Sequence, residues 1–116
     1  MDVKVLDAIL AADERVRFVS VLGSDLKTVA SKAREGLSLE EGRKYGDGLL
    51  VNLAAPVVLG TLSKFTDKCG NLICAGIRYD DVTFIFFKLC ETYVVVCTEA
   101  GPPYIIMQRI EEKLQI

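Results

Sequence analysis

The 116-residue sequence predicts an α/β fold, a three-layer α/β/α sandwich built on a five-stranded, mainly antiparallel sheet. Three observations lead there. Five β-rich runs are separated by turn residues, and every strand connection without a helix is short enough for a hairpin, which makes the neighbours antiparallel. The run over 82–90, VTFIFFKLC, is apolar on both faces, with Phe84 and Phe86 on one and Ile85, Phe87 and Leu89 on the other. Both faces of the sheet therefore need cover. Amphipathic helices at the two ends and a long apolar one in the middle supply it. The expected order is α-β-β-α-β-β-β-α. Without repeats, linkers or low-complexity stretches, residues 1–116 read as a single domain.

Val3, Leu6 and Leu10 form a stripe at i, i+3, i+7, widened by Val5 and Ile9, and predict a first helix over 2–12. Residues 15–22, rich in Val and Phe, read as a strand, and Gly23-Ser24-Asp25 supplies turn chemistry. The second strand, 27–34, carries Thr28, Ser31 and Lys32, a mixture suited to a sheet edge where charge discourages edge-to-edge pairing. Ser38 followed by Glu41 matches a capping box, so a long helix is expected from about residue 39 to about residue 68. Gly46, Gly48 and Pro56 weaken it. Pro56 also removes one hydrogen bond, which predicts a kink or a split into two segments. Cys69-Gly70-Asn71 ends it. Strands over 72–79, 82–90 and 93–98 follow, joined by Asp80-Asp81 and Glu91-Thr92. Pro102-Pro103 open the last helix, since proline is tolerated in a first turn, and Ile106, Ile110 and Leu114 make its buried stripe.

The segment 49–62, LLVNLAAPVVLGTL, is apolar almost all round, with Asn52 and Thr61 as its polar interruptions. A surface helix shows one apolar stripe, so an all-round pattern means burial on both sides. The segment is too short to cross a bilayer, which needs roughly 20 residues. A chain of this size has little protein available for a second face. The helix is therefore expected to pack on its own sheet and on a partner chain.

Charge and composition exclude several function classes. The formal net charge is −2, and Lys27, Lys32, Arg34, Arg43 and Lys44 are interleaved with Glu35, Glu40 and Glu41. That argues against nucleic-acid binding, which needs clustered cations. The start, MDVKVLDAILAADE, carries acids and an amphipathic pattern, unlike a signal peptide or an anchor, so no membrane insertion is expected and the cytoplasm is the expected compartment. With no histidine, the sequence lacks Ser-His-Asp and Cys-His nucleophile systems and His-ligated metals. Gly46-Asp47-Gly48 lacks the third glycine and the Gly-Lys-Ser/Thr of a phosphate loop, and reads as a site of close helix packing or a break. Asp80-Asp81 reads as a turn rather than an acid–base pair.

Four cysteines invite a zinc or redox reading. Cys69, Cys74, Cys90 and Cys97 contain no CxxC, and two-residue hairpin turns at Asp80-Asp81 and Glu91-Thr92 would place Cys74 opposite Phe87 and Cys97 opposite Phe86. Those phenylalanines point to opposite faces, so one shared metal site is excluded. Cys74 and Cys97 are expected as small buried apolar residues. Cys69, just past a helix end, is expected to be the most exposed, and a redox role for Cys69 or Cys90 stays open.

The opening hairpin RVRFVSVLGSDLKTVASKAREG, the long apolar helix and the run NLICAGIRYDDVTFIFFKLCETYVVVCTEAG before a closing helix resemble the roadblock/longin group, within the wider profilin-like architecture. Small roadblock-like proteins of archaea are the nearest likeness. The resemblance implies a homodimer, or a heterodimer with a related roadblock-like chain. The long helix would pack on its partner's copy, and the third strand would pair across the axis. Carried onto this sequence, the interface is Leu49, Leu53, Pro56, Val57, Gly60 and Lys64 on the helix, with Leu72, Cys74 and Gly76 on the strand. It further implies a non-enzymatic adaptor or scaffold, with a small Ras-like GTPase as a partner class, and no catalytic, cofactor-binding or metal-binding residues. The rival expectation is a PAS-like or GAF-like sensor of a small molecule or of redox state, using its cysteines or a pocket lined by Phe84, Phe86 and Phe87.

Overall fold

The computed structural model describes residues 3–38, 40–41 and 55–116. In these, α1 (Val3–Ala12) leads into β1 (Val16–Leu22) and β2 (Thr28–Ala33). Then come α2 (Ala55–Leu62), a 3-10 turn (Ser63–Phe65), the short α3 (Thr66–Cys69), β3 (Cys74–Arg78), β4 (Val82–Leu89), β5 (Thr92–Glu99) and α4 (Pro103–Leu114). The five strands form one sheet in the order β2-β1-β5-β4-β3, and every pairing is antiparallel. The expected fold class holds.

Both sheet faces are covered, as the doubly apolar β4 requires. On one face Leu6, Ile9 and Leu10 of α1 and Ile106, Met107 and Ile110 of α4 pack on Val19, Val21, Ile85, Phe87, Val94 and Val96. On the other, Ala55 and Leu59 of α2 pack on Leu22, Phe84, Phe86, Val95 and Cys97. A register shift between Val16 and Phe18 lets Val16 join the α1/α4 face although the strict alternation of β1 would turn it away. β2 is an edge strand, as its polar character predicts.

The start of α4 is fixed by side-chain chemistry. The buried Thr83 hydroxyl donates to the Gly101 carbonyl at 2.8 Å and accepts the Gly101 N–H at 3.1 Å. The N-cap, Pro102, makes no side-chain cap bond, and Pro103 occupies the first turn, where its missing N–H costs no helical bond.

Three local expectations are corrected. The β4–β5 turn is Cys90-Glu91, one residue before the expected Glu91-Thr92, and Cys90 adopts a φ of 56°. Cys97 consequently faces Phe84 rather than Phe86. A slip of two positions preserves the face, so Cys74 and Cys97 still lie on opposite sides of the sheet. The β1–β2 turn extends to Lys27, whose carbonyl accepts the Gly23 N–H at 2.9 Å, and the left-handed residue is Leu26, at φ 64°. Leu26 packs on the α2-side core, which offsets the cost of that conformation.

The capping box is present: Glu41 N–H donates to Ser38 Oγ at 3.1 Å and Ser38 N–H to Glu41 Oε1 at 3.3 Å. Pro56 is the second residue of α2, while residues 42–54 of the expected long helix, with Gly46 and Gly48, lie outside the described residues. Its end is as expected, at Cys69 followed by Gly70 with a φ of 83°. The approach to that end is not one unbroken α-helix. The Ser63 hydroxyl donates to the Gly60 carbonyl at 3.0 Å, and the Thr66 hydroxyl to the Ser63 carbonyl at 2.8 Å. Such back-bonding competes with the helical ladder and accompanies the 3-10 turn.

Candidate association surface

α2 shows which face its apolar sequence buries. Ala55 and Leu59, four residues apart, are fully covered, while Val58 and Leu62 are half-buried beside them. Pro56 and Gly60 are half-buried at the margin, and Thr61 and Lys64 are exposed. Val57, the third residue of this helix, is 67% exposed. Gly60 opens outward: a Cβ placed on it meets no atom within 4 Å.

β3 provides the second part of the surface. The Tyr79 N–H donates to the Val82 carbonyl at 2.8 Å, which marks Tyr79–Val82 as a hydrogen-bonded pair. In an antiparallel ladder such pairs alternate, so Ile77 and Ala75 bond to β4, and Cys74, Gly76 and Arg78 turn their backbone groups away from it. That outer edge pairs with no strand among the described residues. The opposite edge of the sheet, β2, is protected differently. β2 is flanked by Lys27, contains Lys32 ion-paired to Asp7 of α1, and meets a register irregularity at Val21/Leu22. β3 carries no charge before Arg78, so its edge lacks the usual protection against pairing.

Two grooves flank the residues that lead into β3. One, about 320 Å³, is lined by Leu62, Phe65, Cys69, Gly70, Asn71, Leu72 and Ile73. The other, about 210 Å³, lies between Leu72, Ile73, Phe87, Met107 and Ile116, with Lys88 and Glu111 at its polar side. Phe65 and Ile73 stand exposed beside them.

The expected interface residues thus divide. Pro56, Val57 and Gly60 lie together on α2, Lys64 lies in the 3-10 turn that follows it, and Leu72 packs on the same side of the sheet. Cys74 packs instead toward the α1/α4 layer, and Gly76 lies under Pro103 of α4. For these two, what reaches the edge is backbone. Leu49 and Leu53 lie outside the described residues.

The aromatic pocket of the rival reading is corrected. Phe84 and Phe86 are buried in the α2-side core, and Phe87 is buried on the opposite face, with the sheet between them. No group of three or more potential metal ligands occurs among the described residues. Burial pushes the Cys97 thiol up to about 12, and burial with the Glu111 carboxylate nearby raises that of Cys74. Cys69 and Cys90 are both exposed.

One cluster escaped the sequence reading. Asp13, just beyond α1, is buried and takes three bonds from Arg15: backbone N–H at 2.8 Å, Nε at 2.9 Å and an Nη at 2.8 Å. Arg109 of α4 adds a fourth at 2.9 Å, and Arg34, just past β2, bonds the carbonyls of Leu10, Asp13 and Val16. The Arg15 side chain, first among these partners, holds the Asp13 carboxyl down to about 2. The cluster ties α1, the end of β2 and α4 together, and its local sequence signal is the run DERVR, two acids followed by two arginines.

No helix among the described residues is long and apolar enough to cross a membrane. No family model and no curated protein matches the sequence. Solved structures do match. The gliding protein MglB from Thermus thermophilus superposes with a TM-score of 0.64 at 13% identity, over 97% of this chain and 84% of that one. The roadblock/LC7 domain from Streptomyces avermitilis gives 0.63 at 9% identity, over 97% and 90%. An MglB in a tetrameric arrangement gives 0.60 at 15% identity, over 97% and 83%. The helix and strand order, the antiparallel sheet and these superpositions agree that the chain has a roadblock/LC7 domain fold.

Proposed function

We propose that the chain is a non-catalytic adaptor that works as a homodimer, joined through the outer face of α2 and the free edge of β3. The observation that carries this reading is Val57, 67% exposed in the first turn of α2, a helix whose sequence is apolar on nearly every side. Beside it, Gly60 permits close approach of another backbone, and β3 offers an outer edge that pairs with no strand among the described residues and carries no charge before Arg78. The proposed interface comprises Pro56, Val57, Gly60, Lys64 and Leu72, the backbones of Cys74 and Gly76, and Leu49 and Leu53, which lie outside the described residues. The tetrameric arrangement of an MglB with this fold supports self-association.

The partner class assigned to the dimer is a small Ras-like GTPase, on the strength of the roadblock resemblance. The first test is light-scattering mass with reductant present, for the wild type and for Val57→Asp. The expected result is twice the 12.7 kDa chain mass for the wild type, and dissociation or aggregation for the variant. A stable wild-type monomer overturns the dimer. The GTPase role is tested by adding the dimer to a purified Ras-like GTPase. Unchanged GTP hydrolysis and unchanged nucleotide release would remove that partner class.

A further inference from the structure

Resting on the homodimer reading, we propose a register for the dimer: two β3 strands pair antiparallel about Gly76, and Ile73 of each protomer packs on the partner's Tyr79.

The register follows from which groups face outward. Two identical antiparallel strands related by a two-fold axis place residues equally distant from that axis opposite each other. Cys74, Gly76 and Arg78 direct their backbone groups outward, so each must meet one of the same set. An axis at Gly76 satisfies all three: Gly76 faces Gly76, and Cys74 faces the partner's Arg78. An axis at Ala75 sets Arg78 against Leu72, which precedes the strand, and an axis at Ile77 sets Cys74 against Asp80 in the turn. An axis at Arg78 opposes two guanidinium groups.

The side chains supply a separate observation. Ile73 and Tyr79 immediately flank β3, three residues to either side of Gly76, and are 67% and 59% exposed. Each is more exposed than buried in the single chain. With the axis at Gly76 they stand opposite each other, twice per dimer, extending the ladder one residue beyond each strand end. That pair falls at a non-hydrogen-bonded position, where Cα atoms approach to about 4.5 Å and side chains are closest. Tyr79 is already oriented, its ring edge-on to Phe84 at 6.0 Å and 87°, and Phe84 belongs to the α2-side core. Ile73 borders the groove lined by Leu62 and Phe65. The contact is therefore continuous with the exposed face of α2.

Disulfide trapping tests the register. In a background with Cys69→Ser, Cys74→Ala, Cys90→Ser and Cys97→Ala, the variants Ile73→Cys and Tyr79→Cys are expressed singly and together, oxidised, and compared on non-reducing gels. Covalent dimer in the co-expressed sample alone is the expected result. Covalent dimer from either variant alone overturns the register. So does a dimeric mass by light scattering without trapping in the co-expressed sample. A monomeric wild type overturns the dimer itself and so is distinguishable from a wrong register. Should the cysteine-free background fail to fold, charge exchange in the natural sequence replaces it. Ile73→Lys and Tyr79→Glu should each weaken dimerisation about tenfold or more, and the double variant should recover most of the loss. Losses that simply add overturn the pairing.

Discussion

Gly76 of β3 lies directly beneath Pro103 of α4: a Cβ at Gly76 would stand 2.6 Å from the proline Cβ and 2.9 Å from its Cγ. The proline ring is rigid and begins a helix anchored through Thr83 and Gly101, so it has little room to yield. Gly76→Ala should therefore destabilise the chain by about 1–3 kcal/mol through overpacking. Chemical denaturation checks this, and an unchanged midpoint would show that α4 moves aside freely.

Gly60 offers the opposite case, a helical glycine with open space around its missing side chain. Gly60→Ala should stabilise folding by about 0.5–1 kcal/mol through helix propensity alone. If a partner backbone packs there, the same substitution should weaken dimerisation. Denaturation of dilute protein and a dilution series by light scattering read the two effects separately.

Asp13 supplies a pH dependence whose sign can be worked out. Its folded pKa is lowered from 3.8 to about 2, so the folded state holds this proton less tightly than the unfolded chain does. The resulting stability is present above pH 4 and is lost as pH falls toward 2. Its size is about 2 kcal/mol. Asp13→Asn should cost about 2–3 kcal/mol at neutral pH, because Arg15 and Arg109 lose their shared counter-ion. The variant's stability should also vary less between pH 4 and pH 2 than that of the wild type.

The thiols should react in an order set by cover. Cys69 and Cys90 are exposed and should be modified first by a thiol reagent, with half-buried Cys74 slower. Cys97, buried and with its pKa pushed up to about 12, should react only when the protein unfolds. Time-resolved titration in native buffer and in denaturant checks the order. A fast Cys97 would mean that the α2-side core opens readily.

Much of the architecture was legible because it depends on local periodicity. The stripe Leu6, Ile9, Leu10 marked α1, and the doubly apolar run from Phe84 to Phe87 required cover on both faces of the sheet. The Ser38/Glu41 capping box was readable for the same reason, since both partners sit within one helical turn. The Cys90-Glu91 turn was not. Two-residue turns at 90–91 and 91–92 bring very similar strands together, and cross-strand packing chooses between them. Cys74 and Gly76 were assigned to an interface by strand position. The Cys74 side chain packs toward the α1/α4 layer and Gly76 lies against Pro103, and only the hydrogen-bonding phase of β3 brings their backbones to the edge.

The sequence by itself determined the five strands and their order among the helices, the antiparallel sense of the hairpins and the apolar character of the α2 segment. Each is encoded by residues close together along the chain. The tertiary structure decided which side of α2 remains open at Val57, which sheet edge lacks charge, and that Asp13 meets Arg109, 96 residues away. Those outcomes depend on the order β2-β1-β5-β4-β3, in which β5 lies between β1 and β4. That order is set by long-range packing, and no local pattern in the chain specifies it.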